Sequence, residues 1–145
     1  FPEEGKYNRT ACTRCYVQFS LAEAEALHWR CPHDKGRIKL GVRERAEKLS
    51  TLSAPTPRPP YLKMIPLGEV IARVLGTSSP HTKKCAALYG RFIEAFDNEI
   101  AVLLEVPEGD LCSVSPEVAA AVVKMREGRV TLFPGGGGRY GSFSF

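Results

Sequence analysis

The spacing of apolar positions changes several times along this chain, and each change marks an element. Tyr16-Val17-Gln18-Phe19 is too short for a helix and predicts a strand. Ser20-Leu21-Ala22-Glu23 has the Ser/Glu spacing of a capping box and opens a short helix through Leu27. Arg37-Ile38-Lys39-Leu40 alternates as a second strand, Gly41 breaks it, and Val42 to Leu52 reads as a charged helix. Pro66 to Leu75 is a short apolar helix stopped at Gly76. Ser79-Pro80 predicts a helix start with Pro at the first helical position. The helix that follows places Cys85, Leu88, Tyr89, Phe92, Ile93 and Phe96 on one core-facing stripe. Ile100 to Val106 is a β-like run. Ser115-Pro116 caps a third helix through Arg126, ended at Gly128. Arg129 to Phe133 and Tyr140 to Phe145 predict two strands flanking Pro134 and four glycines.

Four prolines among residues 54–60 interrupt this pattern. Each fixes φ and lacks an N–H, so the segment is an extended, stiff connector. The expected class is therefore α+β. A zinc-ribbon-like unit with a basic helix occupies residues 1–53, the Pro-rich linker 54–60, and a small α+β domain 61–145. That domain carries about three helices, a short sheet and the Gly-rich loop.

Composition agrees with a soluble domain: 145 residues, 43% hydrophobic and 25% charged. No apolar run approaches the ~18 residues of a membrane span. The opening residues carry charge and Pro where a signal peptide would be apolar. The expected compartment is the cytoplasm, and no membrane partner is expected. Charge adds an asymmetry. Residues 1–60 hold 11 Lys and Arg against 7 Asp and Glu, whereas residues 61–145 hold 9 of each. Lys35, Arg37, Lys39, Arg43, Arg45 and Lys48 face only Glu44 and Glu47. Such a stripe suits a polyanion, or forms a solvated helix face.

Five cysteines, an odd number without a secretory signal, argue against a disulfide framework. Cys85 and Cys112 sit singly among apolar neighbours and read as buried hydrophobes. Cys12 and Cys15 have the spacing of a metal knuckle, and Cys31 falls where a second pair should begin. The fourth position holds Asp34 within Cys31-Pro32-His33-Asp34-Lys35-Gly36. Spacing favours Asp34 as fourth ligand, zinc chemistry favours His33, and His28 is a poorer third candidate. A closed set of this kind is structural zinc; a ribbon that has lost its metal is the alternative.

Consecutive glycines in Pro134-Gly135-Gly136-Gly137-Gly138-Arg139-Tyr140-Gly141 suggest backbone N–H groups converging on an anion, with Arg139 adding a guanidinium and Tyr140 stacking on a base. A flexible hairpin turn is the plainer reading. No Walker ending, GxGxxG, GxSxG, HExxH or deaminase pattern is present, and the three histidines are scattered. No catalytic residue is assigned, and the chain reads as a binding module.

Several segments together resemble the C-terminal region of archaeal-type endonuclease Q. They are Cys12-Thr13-Arg14-Cys15, Arg30-Cys31-Pro32, Gly36 to Val42, Arg58-Pro59-Pro60-Tyr61-Leu62, Ile65-Pro66-Leu67 and Pro134 to Gly141. The resemblance implies a zinc ribbon plus C-terminal domain of a DNA-repair endonuclease of the polymerase-and-histidinol-phosphatase (PHP) superfamily. Such a parent cuts on the 5′ side of deaminated bases (uracil, hypoxanthine, xanthine) or at abasic sites. Its catalytic metal ions would lie in an upstream phosphoesterase domain, itself a partner of this segment; the opening Phe1-Pro2-Glu3 fits an excised fragment. Asp34 departs from the family's usual Cys. Under this resemblance Arg37, Lys39, Arg58 and Lys63 are expected on the DNA backbone, and Gly135, Gly136, Gly137, Gly138, Arg139 and Tyr140 at the substrate. The competing expectation is a zinc-ribbon protein–protein interaction module.

Overall fold

The computed structural model describes residues 1–51, Pro57, Tyr61 and 63–145. Apart from Pro57, the proline connector lies outside the described residues, as does Arg58. Two compact units are present. The first comprises Phe1–Lys63 with Leu132–Phe143, the second Met64–Thr131 with Ser144–Phe145. Residues 61–145 therefore do not form one domain. The glycine loop belongs with the ribbon because its backbone bonds there: Arg9 N–H donates to Gly135 O at 2.8 Å and Gly138 N–H to Lys6 O at 2.9 Å.

In the first unit β1 (Ala11–Cys12) pairs antiparallel with β2 (Ile38–Lys39), Ala11 opposite Lys39 and Cys12 opposite Ile38. The strand expected at Tyr16 to Phe19 is reduced to a single bridge between Gln18 and Ala11. Tyr16 leaves the first knuckle at φ 61°, so regular pairing cannot begin there. Helix α1 (Leu21–Ala26) starts on the expected capping box: Glu23 N–H donates to Ser20 Oγ at 3.2 Å, and Ser20 N–H to Glu23 Oε2 at 2.7 Å. The apolar core is small, built from Cys12, Phe19, Ala24, Cys31 and Ile38 with Leu27 and Trp29 against them. A core of this size needs a staple.

Helix α2 (Val42–Leu49) ends three residues short of the expected Leu52 and is not wholly solvated. Glu44 is buried. Its carboxylate accepts from Arg9 Nε at 2.6 Å, Thr10 N at 2.9 Å and Thr10 Oγ1 at 3.1 Å. Thr10 Oγ1 in turn accepts from Gly41 N at 2.8 Å. One acid of the basic stripe thus ties α2 to the residues just before β1.

The second unit is helical, with α3 (Leu67–Val74), α4 (Lys83–Phe96), a π-helical turn (Ala101–Glu105), α5 (Glu108–Cys112) and α6 (Pro116–Arg126). Helix α3 packs on α4 and α6, and α5 on α6, around Ile65, Leu67, Val70, Ile71, Phe92, Leu103, Leu111, Val118 and Val122. Ser115 caps α6 as expected. Helix α4 instead starts after Thr82, whose Oγ1 accepts from Cys85 N at 3.3 Å, while Ser79 and Pro80 form the turn before it. The β-like run is the π-helical turn. Val102 and Leu103 are fully buried, and Arg126 donates to their carbonyls at 2.8 and 2.9 Å, bonds that a strand partner would otherwise supply. A short apolar run carries no period that separates these outcomes. Strands β3 (Thr131–Phe133) and β4 (Ser142–Ser144) pair across the glycine loop.

Desolvation opposes ionisation of Glu44, but the Thr10 amide and the Arg9 guanidinium outweigh it and hold the carboxyl below the ordinary glutamate value. The stability this group supplies is therefore full above the unfolded value of about 4.3 and is lost as pH falls through the lower folded value. Glu44→Ala is expected to cost roughly 2–3 kcal/mol at pH 7 and much less in acid. Urea unfolding at both pH values checks this.

Candidate nucleic-acid interface and metal centre

Two turns of identical hydrogen-bond register build the metal centre. Cys12 N–H donates to Val17 O at 2.9 Å, and Cys31 N–H to Gly36 O at 2.8 Å, five residues on in each case. The residue after the second ligand position is left-handed in both, Tyr16 at φ 61° and Lys35 at φ 59°. Asp34 thus occupies in the second turn the place Cys15 holds in the first. One donor atom from each of Cys12, Cys15, Cys31 and Asp34 lies within 4.8 Å of the others. His33 and His28, the other candidates, are exposed and outside this cluster.

The spacing suits a single ion. Cys15 Sγ and Cys31 Sγ are 3.6 Å apart, close to the ~3.8 Å edge of a tetrahedron with 2.3 Å metal–sulfur bonds. Cys12 Sγ lies 3.3 Å from Asp34 Oδ1. Gly36 N–H donates to Asp34 Oδ1 at 2.8 Å and, with the thiols, keeps that carboxyl below its ordinary value. A bond from the Val17 backbone lowers the Cys15 pKa, but desolvation and crowding by the Cys31 and Cys12 sulfurs outweigh it and raise it to about 11. Three crowded thiols beside an ionised carboxylate are a donor set that a cation would deprotonate and hold.

The glycine tract lies against this centre, and four of its amides are already bonded. Gly135 N–H donates to Glu3 O, Gly136 N–H to Arg139 O, Gly138 N–H to Lys6 O and Gly141 N–H to Glu4 O, at 2.8 to 3.0 Å. Four of the N–H groups expected to converge on an anion are therefore already engaged with backbone carbonyls. The glycines serve a close approach instead. A Cβ on Gly137, at φ +66°, would stand 2.1 Å from Cys12 O, and one on Gly136 2.8 Å from Arg9 O. Gly135, Gly136 and Gly137 are buried, whereas Gly138, Arg139 and Tyr140 are carried outward.

The docked loop completes a row of interleaved cations and rings. Lys39 Nζ lies 3.9 Å from the Tyr7 ring centre, Lys6 Nζ 5.5 Å from Tyr7 and 5.7 Å from Tyr140, and Arg139 Cζ 6.0 Å from Tyr16. Lys39, Arg139 and Tyr140 were expected at an interface; Lys6, Tyr7 and Tyr16 were not, since nothing local in the sequence joins the Lys6-Tyr7 pair to Tyr16, Lys39 or the loop. Arg37 is exposed on the same unit, next to β2. Lys63 pairs with Glu3, so its charge is already matched. At one end of the row a cleft of about 280 Å³ opens between the loop and the first knuckle, with Tyr16, Gln18, Phe133, Arg139 and Tyr140 on its walls.

Two outcomes follow from this geometry. The chain is expected to hold one metal ion, with Asp34→Ala weakening affinity about tenfold or more in a chelator competition titration. Gly137→Ala is expected to undock the loop, seen as faster amide exchange at Gly135 and Gly138 than in the parent.

Comparison with known proteins places these features. The family described as the MJ0043 C-terminal domain matches residues 66–129, the helical second unit. Uncharacterized protein MJ0043 of Methanocaldococcus jannaschii is 41% identical over 99% of this chain and 18% of its own length. Uncharacterized protein YqxK of Bacillus subtilis is 37% identical over 97% of this chain and 33% of its own length. Two solved structures superpose on it. The lesion-specific endonuclease PfuEndoQ from Pyrococcus furiosus does so with a TM-score of 0.91 at 42% identity, over 100% of this chain and 36% of that one. Endonuclease Q in complex with a 27-mer duplex substrate carrying an abasic lesion at the active site does so with a TM-score of 0.89 at 42% identity, over 99% of this chain and 36% of that one. The chain thus spans a third or less of the curated relatives it matches. Over the region they share this chain is similar to endonuclease Q in both sequence and fold, and its residues 66–129 match the MJ0043 C-terminal domain.

Proposed function

We propose that this chain is the DNA-gripping and substrate-recognition part of a lesion-specific DNA-repair endonuclease. The observation that carries the reading is the row Lys39–Tyr7–Lys6–Tyr140 with Arg139 over Tyr16. Cations interleaved with rings suit a strand whose phosphates and bases alternate. The endonuclease Q relative bound to an abasic duplex supports DNA as the ligand. Deaminated bases as further lesions fit the same reading. They pair poorly, so displacing one from the stack costs less than displacing a normal base. Hydrolysis of the phosphodiester, with the divalent ions it needs, belongs to a phosphoesterase domain of the parent and not to these residues.

Zinc is the metal proposed for the Cys12, Cys15, Cys31 and Asp34 centre, because thiolates favour zinc over harder cations. Four protein ligands leave no open position for water. The ion's part is to hold the two knuckles, and through them Tyr16 and Lys35 at their tips.

Phosphate contacts are expected from Lys39, Arg37 and Arg139. Binding to a duplex, followed by fluorescence anisotropy across a salt series, should weaken steeply with salt. The double variant Lys39→Glu/Arg139→Glu should lower the magnitude of the log K against log salt slope by about 2, near 0.9 for each phosphate no longer neutralised. An unchanged slope would remove these residues from the interface. No binding even at low salt would favour a protein-docking role for the ribbon.

A further inference from the structure

We propose that Cys15 and Cys31 form a redox switch: a peroxide joins them as a disulfide, and the metal ion is released. This rests on the metal-centre reading above and goes further, because a purely structural site needs no reactive sulfur. Position sets the pair apart. Cys15 Sγ and Cys31 Sγ are 3.6 Å apart, in residues separated by 16 positions along the chain. Closing that gap to the ~2.05 Å of a disulfide takes a movement of about 1.5 Å, shared between two side chains.

The third sulfur is engaged elsewhere. Cys12 Sγ accepts from Arg14 N–H at 3.3 Å and lies 3.3 Å from Asp34 Oδ1. With a carboxylate as the fourth donor, only three sulfurs face the site, and the carboxylate is inert to peroxide. The neighbour of Cys12 therefore cannot pair with it, and Cys15 has Cys31 as its partner.

Access sets the order of events. Cys15 is exposed, whereas Cys12, Cys31 and Cys85 are buried and Cys112 is half-buried. Sulfur in its ligating form is a thiolate, which is also the nucleophile. Cys15 Sγ attacks one peroxide oxygen, the O–O bond breaks, hydroxide leaves and Cys15 becomes a sulfenic acid. Cys31 Sγ then attacks Cys15 Sγ, and the S–O bond breaks to expel a second hydroxide. Each sulfur has given up one electron, the peroxide has taken both, and solvent protons turn the two hydroxides into water. With a resolving sulfur at 3.6 Å, the sulfenic acid is intercepted before a second peroxide carries it to the irreversible sulfinic stage.

Two of the four donors are lost at once. Cys12 and Asp34 alone are too few for the four-coordinate site that zinc prefers. The disulfide keeps the two knuckles joined, so the staple changes while the fold stays. Tyr16 follows Cys15 directly and lies 6.0 Å from the Arg139 guanidinium, which puts the switch at that end of the cation–aromatic row.

The test treats the zinc-loaded chain with hydrogen peroxide, following free zinc with a chromogenic indicator and the cysteines by peptide mass mapping. One zinc ion is expected free for each Cys15–Cys31 disulfide, with a mass loss of two hydrogens and the Cys12 thiol intact. Dithiothreitol with added zinc should restore the starting mass and metal content. Asp34→Cys should lose four hydrogens rather than two, because Cys12 then has a sulfur to pair with. Zinc retained after peroxide would overturn the switch. So would zinc set free with Cys15 ending as a sulfinic acid or bonded to another cysteine. A chain that holds no zinc before peroxide is added would overturn the metal-centre reading, and the switch with it.

Discussion

The four residues Arg9 to Cys12 are where α2, β2, the metal-site cluster and the glycine loop of the first unit meet. Arg9 and Thr10 hold the buried Glu44 of α2, Ala11 and Cys12 pair with β2, and Cys12 supplies a metal-site sulfur. The glycine loop closes on the remaining side so tightly that a methyl group at Gly137 would overlap the Cys12 carbonyl. Backbone packed on all sides in this way must satisfy its amides within the protein, and it does so through β2, Val17, Glu44 and Gly135.

That crowding explains why the metal centre and the aromatic row occur together. The apolar core around Phe19 and Ile38 is too small to order two knuckles and a long-range loop alone. A metal joining Cys12 and Cys15 to Cys31 and Asp34 would fix the knuckles, and fixed knuckles would give the loop a rigid surface to dock on. The exposed groups at the periphery, Tyr16, Arg139 and Tyr140, are then held without being buried. This is how a surface stays both polar and pre-organised, at little entropic cost when a ligand arrives.

The second unit solves a simpler problem. Its helices bury Val70, Ile71, Phe92, Leu103 and Val122 in an ordinary apolar interior, and its polar backbone is closed by side chains at defined places. Glu99 accepts the first amide of α3 at 2.6 Å and also the Tyr89 hydroxyl at 3.3 Å, while Arg126 closes the π-helical turn. The family match to residues 66–129 falls on this unit, whereas the cation–aromatic row lies wholly in the other.

What the sequence alone determined is what depends on near neighbours. The capping box of α1, the Ser115 cap of α6, the stop at Gly76, the strand at Ile38 and the ligand spacing within each of the Cys12/Cys15 and Cys31/Asp34 pairs each rest on residues a few positions apart. The family resemblance was legible for the same reason, as short motifs in order. Helix α4 starts after Thr82 rather than at the expected Ser79-Pro80, and the run from Ile100 to Val106 is a π-helical turn rather than a strand, because packing decided there. The tertiary structure alone decided the burial of Glu44, the choice of Asp34 over His33, and the use of the glycines. Four glycines read locally as freedom, an anion cradle or a loose turn. Their purpose is set by backbone more than a hundred residues away, and a close approach between distant segments leaves no local period by which to read it.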